Sequence, residues 1–294
     1  MKAPNGTGRT TVPPLVLLDS DGCALDSMDI KQKTVFAPAF IAHFDLEDIA
    51  AEATEAWEFV SLHSRTRGAN RFVLLLRAMD ILRKHPSPRA RRHPLPDLTA
   101  LRDAGGDTGL VTTSNLAELA GQAPQMKNVL AWSEEIDRGV HSAIASVSPY
   151  GGVPEVLAVV AAVATIAIVS QTPGNTLKKE WRHAGLLSLV DSIYGQYPGG
   201  KAAVLKKLTA NHGDTDAPQP VIMIGDAPGD FEATRGTPVR FYPIIPGREG
   251  KSWVRFASEV LYPFINGDYT EAMQKRYVQE FLAALPEEPT WKKS

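Results

Sequence analysis

Apolar residues fall in two rhythms along this chain. Leu15-Val16-Leu17-Leu18, behind Pro13-Pro14, is a short unbroken run that stops at Asp19, Ser20, Asp21 and Gly22. That is the pattern of a buried strand opening into a polar loop. From Gly152 onward such runs alternate with helical spacing. Helices are predicted near 154–163, 177–183, 201–208 and 231–234, and strands over 165–169, 191–194, 221–224 and 239–242. Strands alternating with helices predict an α/β fold, a Rossmann-like parallel sheet covered on both faces.

Between about residues 28 and 151 the strand signal nearly vanishes. Ile49, Ala53, Ala56, Trp57 and Val60 recur at helical spacing, as do Phe72, Leu75, Leu76 and Met79, and Val129, Trp132, Ile136 and Val140. An all-helical domain, 28–151, is therefore predicted as an insertion into an α/β core made of 1–27 and 152–294. Insertions at the carboxyl end of a parallel strand sit over the ligand crevice, so the insert is placed as a cap. Gly22 to Asp26 and Gly151-Gly152 are its natural hinges. The stretches 252–260 and 270–285 read as helices packed outside the core, and 83–94 as a solvated basic loop between two cap helices.

Composition narrows the function. Lys and Arg number 31 against 33 Asp and Glu, a balance that argues against a nucleic-acid binder. The 44% hydrophobic content can build a core, which argues against disorder. The apolar stretch 156–169 falls short of the about 18 residues of a membrane span, and residues 1–14 lack the apolar run of a signal peptide. With a lone Cys23, a cytoplasmic protein, monomer or homodimer, with no membrane partner is expected.

Chemistry concentrates at strand ends. Asp19 and Asp21, two apart in extended chain, face one site; a plain Asp-Gly turn is the competing account. A second acidic loop, GDAPGD, follows the strand 221–224 and carries Asp226 and Asp230. A helix cap explains one such carboxylate, but four at the ends of two buried strands repel unless a cation lies among them. Hard carboxylate oxygens suit Mg²⁺. Ser170 ends the strand 165–169 and can offer a hydroxyl to an anion. Lys201 opens a helix against its macrodipole, so an anionic neighbour should favour it there.

In this order the segments LLDSDGCALDS, SQTP, Lys201 and GDAPGD resemble the four motifs of the haloacid dehalogenase superfamily, with Lys178 and Lys179 as weaker rivals for the third. Cys23 departs from the family's usual Thr. The resemblance covers the core and implies a Mg²⁺-dependent phosphatase acting on a small phosphorylated substrate. Asp19 would be the nucleophile and Asp21 the acid and base. Asp19, the carbonyl of Asp21, Asp226 and Asp230 would hold the metal, and Ser170 and Lys201 the phosphoryl oxygens. A phosphomutase shares these motifs. A dehalogenase would leave Asp21 and the second acidic loop without work, and a phosphonate-cleaving enzyme would need a Schiff-base lysine from Lys31, Lys33 or Lys84. A non-catalytic binding protein is the reading from another class.

Specificity is expected from the cap segment FVSLHSRTRGANRF, where Arg65, Arg67, Asn70 and Arg71 surround Gly68. Guanidinium forks suit phosphate and carboxylate, although salt bridges to Glu52, Glu55 or Glu58 would also occupy them. Gln171, beside Ser170, joins these substrate-side candidates.

Overall fold

A computed structural model describes residues 13–109, 111–123, 126–143, 147–210 and 219–291. Residues 1–12, most of the stretch read for a targeting segment, lie outside them. Five strands, β1 (Leu15–Leu18), β2 (Thr165–Ser170), β3 (Ser192–Gly195), β4 (Val221–Gly225) and β5 (Arg240–Pro243), form one sheet in the order β3-β2-β1-β4-β5. Every pairing is parallel, with Leu15 opposite both Thr165 and Val221.

The central strand explains its own sequence. Val16 and Leu18 point into the apolar layer on one face, with Ile166, Ile168, Leu157 and Trp253, while Leu15 and Leu17 point into the other, with Val204, Leu205 and Phe241. A strand covered on both faces has no polar side to show, so it reads as an unbroken apolar run. The two edge strands sit one residue later than predicted, because only the ladder, and not hydrophobicity, marks where a short strand begins. Of the core helices, Gly174–His183 and Pro228–Thr234 start earlier than their apolar residues indicate.

Between β1 and β2 the named elements are all helical. Ala50–Leu62, Arg71–Arg83 and Met126–Ala143 occupy the three amphipathic runs. An earlier helix escaped the periodicity: Met28–Lys31 runs through a π-helical turn, Gln32–Phe36, into Ala37–His43. The π turn breaks the 3.6-residue spacing on which such a reading depends. Within the basic stretch, Pro88–Arg92 is a short helix with proline in its first turn rather than plain loop. The insert buries its own aromatic core, in which Trp57 packs against Phe36, Phe40 and Trp132, and Trp132 against Phe44 and Phe72.

Two chain crossings join insert to core, and backbone hydrogen bonds tie them together: Asp26 N–H to Ser148 O at 2.9 Å and Tyr150 N–H to Ala24 O at 3.1 Å. The tail adds a third link. After the helix Glu271–Ala283 the chain leaves the core and lies along the insert. Arg65 donates from Nε to Leu285 O at 2.7 Å, Arg77 reaches Glu287 O at 2.8 Å, and the Trp291 ring stands 4.4 Å from that of His85. The helix Glu271–Ala283 packs on the outside of the core as expected, and the residues after it continue onto the insert, where Trp291 finds apolar cover. Among the described residues no helix is long and apolar enough to cross a membrane.

Candidate active site

Asp19 is the first residue past β1, and its backbone N–H is held by Ile224 O of β4 at 2.9 Å. That register aligns the ends of the two strands, so the loops leaving them meet. Asp226 follows β4 directly, and Asp230 sits in the first turn of the helix Pro228–Thr234, where it receives Ala227 N–H at 3.1 Å. Gly225 makes room for this return: a Cβ there would fall 2.3 Å from Asp230 Oδ2. All three carboxylates are buried, and one oxygen from each lies within 4.8 Å of the others.

Lys201 answers two of the three. Its Nζ lies 2.8 Å from Asp19 Oδ2 and 2.5 Å from Asp230 Oδ1. The anion expected at this helix start is thus partly the protein's own. Lys178 and Lys179, on Gly174–His183, are exposed. The third carboxylate is answered from the insert. Arg67 places Nε 2.8 Å and Nη2 2.6 Å from the same atom, Asp226 Oδ2, and donates from Nη1 to Leu62 O at 3.0 Å. Asp226 Oδ1 has no hydrogen-bond partner although it is buried.

The acidities follow from this crowding. Burial pushes the Asp19 carboxyl well above its usual range; Lys201 draws it back, and Asp230 and Asp226 push it further up. Asp226 is raised by burial to about 6, in spite of the Arg67 charge that lowers it. Lys201, which burial alone would discharge, is held charged by Asp19 and Asp230.

Asp21 sits apart from the triad in a nest of donors. Lys31 Nζ lies 2.8 Å from Oδ1, Ser27 Oγ donates to the same oxygen, and Thr172 Oγ1 donates to Oδ2 at 2.8 Å. Burial would raise its pKa, but the Lys31 charge and these hydrogen bonds outweigh it and leave the carboxyl below its ordinary value. Lys31 is shared with Glu180 Oε1 at 3.0 Å, and Glu180 is itself fully buried. Lys31, Thr172 and Glu180 did not stand out in the sequence as partners of Asp21. Lys31 follows Ser27, the N-cap residue of its helix, by one helical turn and so returns to the same loop.

Ser170 ends β2 with its hydroxyl accepting Thr172 N–H at 3.1 Å. A cavity of about 440 Å³ opens between Asp19, Asp21, Ser170, Thr172, Lys201 and Asp230. A second, of about 580 Å³, shares Asp21, Gly68 and Thr172 with it and extends between the insert and the sheet. The substrate-side candidates disperse. Gln171 lines both cavities and Arg71 the second, where Arg71 also bonds Ser133 O at 2.9 Å and Asp137 at 2.8 Å. Asn70 instead caps its helix by accepting Phe72 N–H at 2.9 Å. Arg65 turns to the tail, and Arg67 to Asp226. The pairings weighed from Glu52, Glu55 and Glu58 are not the ones these arginines make.

Hard oxygen donors at this spacing, one of them lacking any partner, are what a divalent cation requires. Together with the sheet they define a doubly wound α/β enzyme whose carboxylate cluster lies at the carboxyl edge of its parallel strands. Residues 99–244, just under half of the chain, match the family profile described as haloacid dehalogenase-like hydrolase. No curated protein matches the chain. Among solved structures it is similar to a predicted phosphoglycolate phosphatase from Haemophilus somnus, at 17% identity over 82% of this chain and 92% of that one, with a TM-score of 0.45. A predicted phosphatase from Clostridium acetobutylicum is 14% identical over 92% and 100% of the two chains, with a TM-score of 0.46. A protein of Bacillus subtilis described as a HAD hydrolase and bound to magnesium is 11% identical over 80% and 87%, with a TM-score of 0.44.

Proposed function

We propose that the protein is a Mg²⁺-dependent phosphatase that hydrolyses a small phosphorylated metabolite through an aspartyl-phosphate, and that residues 28–151 form its cap. The observation that carries this reading is the buried triad Asp19, Asp226 and Asp230 with Lys201 spanning two of its members. Asp19, Asp226 and Asp230, with the carbonyl of Asp21, would hold the ion. Bound there, Mg²⁺ offsets charge on the phosphoryl oxygens.

The chain's own groups perform the transfer. An Asp19 oxygen attacks phosphorus in line, the bond to the leaving oxygen breaks, and an acyl phosphate forms. Lys201 and Ser170, at the cavity wall, bind the equatorial oxygens. Asp21 gives a proton to the leaving oxygen and later takes one from the water that attacks the acyl phosphate. Its donors favour the ionised form suited to the second half. A phosphate dianion arriving beside it raises its pKa and supplies the protonated form needed in the first. The leaving group would lie in the second cavity, beside Gln171 and Arg71.

The test is phosphate release from an aryl phosphate with Mg²⁺ and with chelator. The parent is expected to turn over only with the ion, and Asp19→Asn not at all. Equal rates for parent and Asp19→Asn would refute the nucleophile, and with it this reading.

A further inference from the structure

A cation from a distant stretch of chain is pressed against the carboxylate cluster in an unusual way. Arg67 and Asp226 are 159 residues apart and both are buried, with side chains 1% and 0% exposed. A guanidinium that merely neutralised the carboxylate would lie fork to fork, one nitrogen on each oxygen. Here only Nε donates a hydrogen bond to Oδ2; Nη2 lies 2.6 Å from the same oxygen as an ion pair without a hydrogen bond of its own, and Oδ1 is left without a partner. An unpartnered oxygen in a buried carboxylate is costly, and more so when the group is charged. The arrangement makes sense when the group that satisfies Oδ1 is a ligand.

The surroundings hold the guanidinium in this pose. Nη1 is fixed by Leu62 O at 3.0 Å, at the end of the helix Ala50–Leu62. Gly22, with φ +77°, forms the wall on the other side: a Cβ there would lie 2.4 Å from Asp226 Oδ2 and 2.6 Å from Arg67 Nη2. Gly68 presses as closely on the second acidic loop, where its Cβ would fall 2.5 Å from that of Ala227. Glycines on both loops thus let the insert approach Asp226 within hydrogen-bonding distance.

We propose that Arg67 is a positioning residue of the cation site: it engages one oxygen of Asp226 and thereby fixes the other as a single ligand atom directed at the ion. The insert then contributes to ion binding itself and does more than cover the substrate. This rests on the cation site of the preceding section, and the experiment separates the two.

Mg²⁺ binding to the full-length protein is measured by calorimetric titration without substrate, with Mn²⁺ counted by electron paramagnetic resonance as a check on stoichiometry. The parent is expected to bind one ion. Arg67→Gln should weaken binding by about 10–100-fold, the usual cost of losing a group that orients a metal ligand. It should raise the Mg²⁺ concentration needed for half-maximal activity while the KM for an aryl phosphate at saturating Mg²⁺ stays near the parent's. Arg67→Lys keeps the charge but cannot lay two nitrogens on Oδ2, so it should recover only part of the affinity. If Arg67→Gln fails to fold, Arg67→Lys decides the matter, and parent-like affinity there overturns the proposal. So does an Arg67→Gln protein that binds Mg²⁺ as tightly as the parent or more tightly, since the guanidinium would then be a competitor for Asp226. A parent that binds no ion overturns the cation site as well.

Discussion

Sheet and insert divide the site between them by charge. The core brings Asp19 and Asp21 after β1 and Asp226 and Asp230 after β4. The helical stretch brings Lys31 to Asp21 and Arg67 to Asp226. Lys201 is the cation that the core itself sets against Asp19 and Asp230. Both regions are packed around aromatic groups, Tyr242 with Phe256 and Tyr277 over the sheet and Trp57 with Trp132 ringed by phenylalanines in the insert. Close-packed aromatic interiors leave side chains few alternative positions. The division of charge makes the helical insert a mount for two cations that face the acids of the core.

Asp19→Asn tests the acids of the core. If Asp19 is the nucleophile as proposed, its loss lowers phosphate release by at least about 10³-fold, with the folded state intact by circular dichroism. The insert half is tested by Lys31→Met. Asp21 and Glu180 would then share a buried space without the ammonium between them, and kcat/KM on an aryl phosphate should fall by about 10–100-fold. A parent-like rate for Lys31→Met would confine the chemistry to the core.

How far the sequence disclosed all this depends on where each residue sits. The sheet was legible because its strands are buried on both faces, and the candidate acids because parallel strands deliver loops to one edge. Asp19 and Asp226 needed no tertiary knowledge beyond that. Arg67 did. Its residue type announced an anion, and the anion expected was the substrate's; that its partner is Asp226 follows from how the insert docks, which no local spacing encodes. Lys31 was hidden for a related reason. Its helix begins a π turn immediately afterwards, so the periodicity that marks a helix is interrupted just where Lys31 turns back to the loop. Arg65 was misdirected by the tail, whose course along the insert depends on Trp291 finding cover there.

A subtler separation of the regions uses pH. In the metal-free protein Asp226 takes up its proton near 6, above its usual value of 3.8, and Asp19 is displaced in the same direction. A carboxyl raised in the folded state makes the fold relatively more stable as pH falls through that range, because the unfolded chain takes up its proton only lower. Mg²⁺ must displace the same proton. The rise in Tm on adding Mg²⁺ should therefore be full at pH 7.5 and shrink below pH about 6, with affinity dropping about tenfold per unit for one proton. An increment flat from pH 5 to 8 would place the ion elsewhere. In Arg67→Gln the fall should begin at higher pH, since the charge that lowers the Asp226 pKa is gone.

Least is expected of the tail after Glu271–Ala283, a strap laid along the insert. Trp291 is half-buried on the insert, edge-on to His85, and Arg77 holds the same tail through Glu287 O and the Glu288 carboxylate at 2.7 Å. Removing the ring forfeits about 1 kcal/mol, the scale of one aromatic contact, which for a chain of this size is a Tm lower by about 2–4 °C. The ion pair at Glu288 is exposed and adds little. Because Trp291 packs against the insert cluster and the His85 ring, away from the acids of the site, Trp291→Ala should lower Tm while leaving Mg²⁺ affinity unchanged, as long as Arg67 keeps its hold on Asp226. Should Mg²⁺ affinity fall together with Tm, the strap would be part of what presses the insert onto the sheet, and the mount for Arg67 would extend to the end of the tail.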